Sequence, residues 1–123
     1  MPTAEDHLKT VVDGLLGTLF NDRQYDRKSE FLHDEFIKHP HDGKPDMSGE
    51  EMIKQFADLA NQFPDIKSVV KKSIANADHV WLWTKVEGLP EGFNLEIVEI
   101  CRLVDGKIIE KWDIHQQTIA GSQ

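Results

Sequence analysis

Three residues of this chain have the type and setting for proton-transfer chemistry: His39, Glu99 and Asp113. Pro40 disfavours helical angles at the residue before it, so His39 is expected on an extended segment leading into a loop. An imidazole there suits proton abstraction near neutral pH. The plainer alternative is a histidine that hydrogen-bonds backbone at a helix–sheet junction. Glu99 interrupts an apolar run from Leu95 to Leu103. Burial in such a run disfavours a carboxylate's charge and lets it act as an acid, whereas a cross-strand pair with Lys111 would preserve the charge. Asp113 is the candidate to take a proton from a carbon acid or to protonate an oxygen. Its structural alternative is an ion pair with Lys111 or His115.

Other chemistries are poorly served. His39 and His41 with Asp42 match no strong metal-ligand spacing, so no metal site is expected. Cys101 is the only cysteine, which excludes an intrachain disulfide and fits a reducing, cytoplasmic setting. It has no evident base or helix N-terminus to activate it as a nucleophile. The chain carries no Gly-rich phosphate loop, and no cofactor is expected. A formal charge of −8 argues against nucleic acid as a partner. Lys67, Lys71 and Lys72 read as a solvated face. No apolar run reaches a membrane-spanning length, and the acidic start, Met1 to Asp6, lacks the basic region of a signal peptide.

The elements that must position these groups follow from periodicity. The 123 residues suit one domain, 1–123, with a core that needs no staple. Thr3 and Asp6 resemble a capping pair before a first helix whose apolar stripe runs Leu8, Val11, Val12, Leu15, Leu16, Leu19 and Phe20. A short second helix is expected over 23–32, and a short extended piece over 36–39. Ser48 and Glu51 form a capping box before a third helix with Met52, Ile53, Phe56, Leu59, Ala60 and Phe63 on one face, ended by Pro64. Four strands are expected over 66–75, 79–87, 93–103 and 107–116, joined by turns into an antiparallel meander. Helices first and strands after is the α+β pattern. The later strands look apolar on both faces. Helices are expected to cover one, and the other to carry a homodimer interface with Trp81 or Trp83. Those tryptophans share a strand face with His79 and are also candidates to wall a hydrophobic ligand site.

The last hairpin decides which polar groups meet. A two-residue Asp105-Gly106 turn pairs Val104 with Lys107 and sends Asp113 to the face opposite Glu99. A three-residue loop with a bulge at Gly106 pairs Leu103 with Lys107 and puts Glu99 opposite Lys111. Leu95, Ile97, Glu99 and Cys101 then share a face with Ile109, Lys111, Asp113 and His115. A one-residue slip flips the whole set.

The segments Phe36-Ile37-Lys38-His39-Pro40, Ser48-Gly49, Val98-Glu99-Ile100-Cys101-Arg102 and Gly106-Lys107-Ile108-Ile109-Glu110-Lys111-Trp112-Asp113 together resemble the SnoaL-like family. That family belongs to the nuclear transport factor 2-like superfamily. The likeness is nearest to its aldol-condensation or polyketide-cyclase-like branch and spans nearly the whole chain. It implies helices packed on a cone-shaped, curved antiparallel sheet, with the last-strand acid and the preceding-strand acid lining one cavity. That favours the bulged register. The order of elements also resembles ketosteroid isomerases, which places His39 at a general-base position and Glu99 at an oxyanion-hole position. Their tyrosine position falls near Leu15, which cannot donate a hydrogen bond. Against the SnoaL-like pattern, His41 replaces an Asn-Pro continuation and Glu99 stands where Asp is usual.

The resemblance implies a cofactor-independent isomerase, cyclase or aldol-type enzyme acting next to the carbonyl of a small hydrophobic ligand. His39 or Asp113 would be the base and Glu99 the group that polarises the oxygen. Binding contacts are expected from Trp81, Trp83, Lys111 and His115, and from Leu15 and Phe56 on the helices. A non-catalytic, dimeric ligand-binding or interaction module is the alternative. A closed cavity without an opening, or an outward-pointing His39, would sink the enzyme reading.

Overall fold

The computed structural model describes residues 2–119. Helix α1 (Ala4–Lys9) begins at the expected capping box: Asp6 N–H donates to Thr3 Oγ1, and Thr3 N–H to the Asp6 carboxylate. It runs without a break into a wider, π-helical segment, Thr10–Asn21. The expected apolar stripe faces inward there, with Val11, Leu15 and Leu19 fully buried. Gly14 sits where any Cβ would overlap the Phe31 ring, so the close approach of the π-helical segment to Phe31 requires glycine.

The expected second helix is shorter than its pattern suggested. A single 3-10 turn (Tyr25–Arg27) and the one-turn α2 (Lys28–Phe31) give way at Leu32 to strand β1 (Leu32–His39). A two-residue β2 (Met47–Ser48) leads into α3 (Gly49–Gln62), which starts at the Ser48/Glu51 capping box as read from the sequence. Strands β3 (Lys67–Ala75), β4 (His79–Glu87), β5 (Phe93–Val104) and β6 (Lys107–Ile119) form the expected meander.

The sheet is not wholly antiparallel. Its six strands run β2-β1-β6-β5-β4-β3, and β1 lies parallel to β6, with Lys38 beside Lys111 and His39 beside Trp112. Irregular register in β1/β6, β3/β4 and β5/β6 goes with the curvature that wraps the sheet around the helices. The core lies between: Leu15, Leu19, Met52 and Phe56 from the helices pack on Phe36, Val80, Leu82, Cys101 and Ile108. Among the described residues, no helix is long and apolar enough to cross a membrane.

The last hairpin takes a path between the two alternatives. Its turn is the tight one: Asp105 and Gly106 have φ of 53° and 78°, and Val104 pairs with Lys107. The extra residue comes after the turn. Leu103 pairs with Ile108 but Arg102 pairs with Glu110, leaving Ile109 as the bulge. From there Glu99 lies directly opposite Asp113, Cys101 opposite Lys111 and Ile97 opposite His115. Glu99, Cys101, Lys111 and Asp113 therefore share the inward face expected of the bulged register, but Ile108 and not Ile109 takes the buried place beside the turn. The bulge is not at Gly106, however, and the partner of Glu99 is two residues further along.

Candidate active site

An apolar cavity of about 320 Å³ opens between α3, the π-helical segment and the concave face of the sheet. Leu16, Phe20, Phe56 and Leu59 line it from the helices, and Leu95 and Ile97 from β5. Phe20 and Phe56 meet edge to face, with centroids 5.0 Å apart. At its inner end the lining turns charged, with Lys38, Glu99, Lys111 and Asp113.

These four side chains are almost wholly buried, yet each is paired. Lys111 Nζ lies 3.0 Å from Glu99 Oε1 and 2.6 Å from Asp113 Oδ1. Lys38 Nζ lies 3.2 Å from Asp113 Oδ2 and donates to Gln55 Oε1 at 2.8 Å. The Thr84 hydroxyl donates to Glu99 Oε2 at 2.9 Å. Two ammonium groups thus neutralise two carboxylates, which is the condition for keeping charges out of water. Asp113 Oδ1 has charge contact with Lys111 but no well-directed hydrogen bond, so it keeps acceptor capacity.

The electrostatics divide the two lysines. Burial opposes charge on Lys111, but Asp113 and then Glu99 outweigh it and raise its pKa well above the lysine range. Burial pulls the Lys38 pKa down, the charge of Lys111 adds to that, and Asp113 only partly compensates. Burial also works against the Asp113 carboxylate, yet Lys111, then His115 and Lys38, hold it well below the usual range. His115 Nε2 stands 3.9 Å from Asp113 Oδ2 at the edge of the site. Its ring packs on His41, with centroids 4.4 Å apart. Beyond it a polar cleft of about 590 Å³ runs under the loop after β1, lined by Pro40, His41, Asp42 and Asp46 and sharing Lys38, Gln55, Asp113 and His115 with the cavity.

A family model for the SnoaL-like polyketide cyclases matches residues 10–123. The chain belongs to this family. A curated relative from Aspergillus carbonarius, named "Probable cyclase otaY", is 35% identical over 92 residues, which is 74% of this chain and 72% of that protein. IdmH from Streptomyces antibioticus superimposes with a TM-score of 0.75 at 19% identity, covering 89% of this chain and 91% of that one. The LEH-like epoxide hydrolase of M. tuberculosis gives 0.72 at 11% identity, over 92% and 84%. At such identities the two structures speak for the fold alone.

In this SnoaL-like chain, Glu99, Asp113, Lys111, His115 and Phe56 line one cavity. Leu15 is fully buried in the core and does not line it. Trp81 and Trp83 lie on the other face of β4, 47% and 38% exposed, because Val80, Leu82, Thr84 and Val86 take the inward phase. His39 also faces away. Its Nε2 meets Glu110 at 2.7 Å, its Nδ1 meets Asp46 at 3.0 Å, and its ring stacks on Trp112. An imidazole held there cannot reach a substrate in the cavity, so the enzyme reading with His39 as its base is overturned. Period two in β1 gives the inward position to its neighbour, Lys38.

Lys38, Thr84 and Gln55 are the site residues that the sequence reading missed. Each carried a signal. Lys38 is in phase with the buried Phe36, Thr84 with Val80, Leu82 and Val86, and Gln55 with Met52 and Leu59 on α3. Among the described residues, no group of three or more His, Cys, Asp or Glu side chains is arranged to hold a metal ion.

Proposed function

We propose that this cyclase-family protein binds a small hydrophobic carbonyl compound and moves a proton next to that carbonyl, giving cyclisation, aldol-type bond formation or isomerisation. One observation carries the reading: an apolar cavity that ends on a buried, charge-balanced Lys38–Asp113–Lys111–Glu99 cluster. The cavity lies at the small end of the usual range for ligand sites, about 300–1,000 Å³. Asp113 accepts the proton through Oδ1. A carboxylate held so firmly ionised is a weak base, so the driving force comes from the product side. As the proton arrives, negative charge moves from the carboxylate to the enolate oxygen, and the permanently charged Lys111 ammonium holds it there without reorganising. His115 relays the proton toward the polar cleft. Glu99 accepts from Thr84 and pairs with Lys111, so it orients the ammonium rather than donating to the substrate oxygen.

The test is hydrogen–deuterium exchange at the α-carbon of a panel of small ketones and β-diketones, followed by NMR. Wild type exchanges, and Asp113→Asn loses about 10²-fold or more of that rate. Equal exchange in both removes Asp113 from the chemistry. Ligand binding with no exchange in either favours the binding module instead.

The outer face of the sheet suits a second copy of this chain. Trp81, Trp83, Ile74 and Ile114 are exposed apolar side chains there, on β3, β4 and β6. Sedimentation velocity is expected to show a dimer for wild type and a monomer for Trp81→Glu. A monomeric wild type refutes the assembly.

A further inference from the structure

Lys38 stands at the junction of the apolar cavity and the polar cleft, and its side chain lines both. Its Nζ is oriented by Gln55 Oε1 at 2.8 Å and Asp113 Oδ2 at 3.2 Å. The charged groups around it are Lys111, Asp113 and Glu99 on β5 and β6, with His115 beyond. The packed helix α3 contributes the neutral Gln55, and its Glu51 also lines the polar cleft.

Lys111 differs in one respect that matters. It is clamped between two carboxylates on neighbouring strands, whereas Lys38 has only a share in one of them. We propose that Lys38 is a nucleophilic amine that carries the carbonyl substrate as an imine, a role that rests on the carbonyl reading above. The downward pull of burial and of Lys111 on the Lys38 pKa is the condition such an amine needs, because a desolvated lysine beside a second cation loses its proton more readily.

The steps balance without any oxidant or further reactant. The Lys38 ammonium releases one proton through Asp113 and His115 to the cleft. The amine lone pair attacks the carbonyl carbon from the cavity side, and the C–O π pair moves to oxygen, which takes a proton. The oxygen takes two protons in all, one from the attacking nitrogen and one returned from the cleft through His115 and Asp113; the C–O bond then breaks and water leaves, giving an iminium on Nζ. Asp113 removes the α-proton, and the C–H pair forms the enamine. Its carbon attacks a second carbonyl of the same molecule, whose oxygen takes the proton held on Asp113, or picks up that proton at a new position; either way the iminium re-forms. Water then adds to the iminium carbon, the C–N bond breaks, and the amine is free again. Lys111 remains charged throughout and faces the oxygen that is lost or formed.

The experiment incubates the intact protein with benzaldehyde, or with a ketone from the exchange panel, in the presence of cyanoborohydride, and maps adducts by peptide mass spectrometry. The expected result is one reduced adduct, on Lys38, forming about tenfold or more faster than on the exposed Lys67 or Lys71. Lys38→Arg keeps the ion pair but cannot form the imine. It is expected to melt like wild type, to lose the adduct and to lose α-proton exchange. Exchange in wild type with no Lys38 adduct, or full exchange in Lys38→Arg, overturns the imine and leaves the acid–base reading standing. Neither adduct nor exchange overturns both. An adduct on Lys38 without exchange supports the amine and removes the proton-transfer reading. Adducts spread evenly over surface lysines overturn the proposal. Mapping on wild type decides the matter even if the arginine variant fails to fold.

Discussion

Replacing Lys111 by Met is the most informative perturbation of this fold. The substitution nearly preserves volume but removes the cation that separates two buried carboxylates. The two ion-pair legs of 3.0 and 2.6 Å put Glu99 Oε1 and Asp113 Oδ1 no more than about 5.6 Å apart. At an effective dielectric of about 20, two unit charges at that distance repel by about 3 kcal/mol. This agrees with the cost of about 3–5 kcal/mol for removing one partner of a buried pair. Lys38 relieves part of it from the far side of Asp113. The expected loss at about pH 8 is therefore about 3 kcal/mol.

The pH dependence gives this prediction its specificity. In the variant, two like charges so close raise the folded-state pKa of one carboxyl above its unfolded value. The penalty is then complete above that folded pKa and relieved as pH falls through it. Wild type behaves in the opposite sense. The depressed Asp113 pKa contributes stability that is present above the unfolded value, about 3.8, and lost as pH falls below it. Urea denaturation followed by circular dichroism, from about pH 8 to about pH 5, is expected to show the deficit shrinking on acidification. Adding Glu99→Gln to Lys111→Met is expected to recover most of it. A variant within about 1 kcal/mol of wild type at pH 8, or a deficit that does not change with pH, refutes the charge arrangement.

Two further outcomes test the frame around the site. Burial disfavours charge on His39, but Glu110 and Asp46 outweigh it and raise its pKa. Its contribution to stability is therefore complete below the unfolded value of about 6.5 and lost as pH rises through the higher folded one. His39→Gln should flatten that part of the stability profile, with a difference of no more than about 1 kcal/mol for so accessible a pair; an unchanged profile contradicts the triad. Gly14→Ala pushes a methyl into the Phe31 ring and is expected to cost about 1–3 kcal/mol, read as a lower Tm. Phe31→Leu in the same chain should restore part of it, and an undiminished Tm for Gly14→Ala alone would show that the π-helical segment and α2 do not pack this closely.

Much of this architecture was legible in the residues, for identifiable reasons. The caps at Thr3 and Ser48 are local, since each is closed by a side chain three residues away, so both helix starts were read correctly. The parallel pairing of β1 with β6 is not local. Nothing near Phe36 says which distant strand edge it will join, and the antiparallel expectation failed there. The bulge at Ile109 was hidden for another reason. The turn residues Asp105-Gly106 are right for a tight hairpin and drew the expectation of any irregularity to the glycine, whereas the extra residue is an isoleucine with no sequence mark.

The candidate site turns on one choice that period two should have exposed. Lys38 and His39 are neighbours on a strand, so only one of them can face the core. Chemical reputation favoured the histidine. The phase of the strand favoured the lysine, because Phe36 is the residue that must be buried and Lys38 shares its side. A lysine in phase with core residues is costly unless carboxylates wait for it, and that cost is itself the signal. Glu99 and Asp113, two acids in apolar strands, are the complement that makes a buried Lys38 and Lys111 tolerable. The same argument accounts for the tryptophans. Val80, Leu82 and Val86 already fill the inward phase of β4, so Trp81 and Trp83 could only face outward, away from any ligand in the cavity. In this sheet phase decides position before side-chain chemistry does, and the site consists of the polar residues that fall in the inward phase.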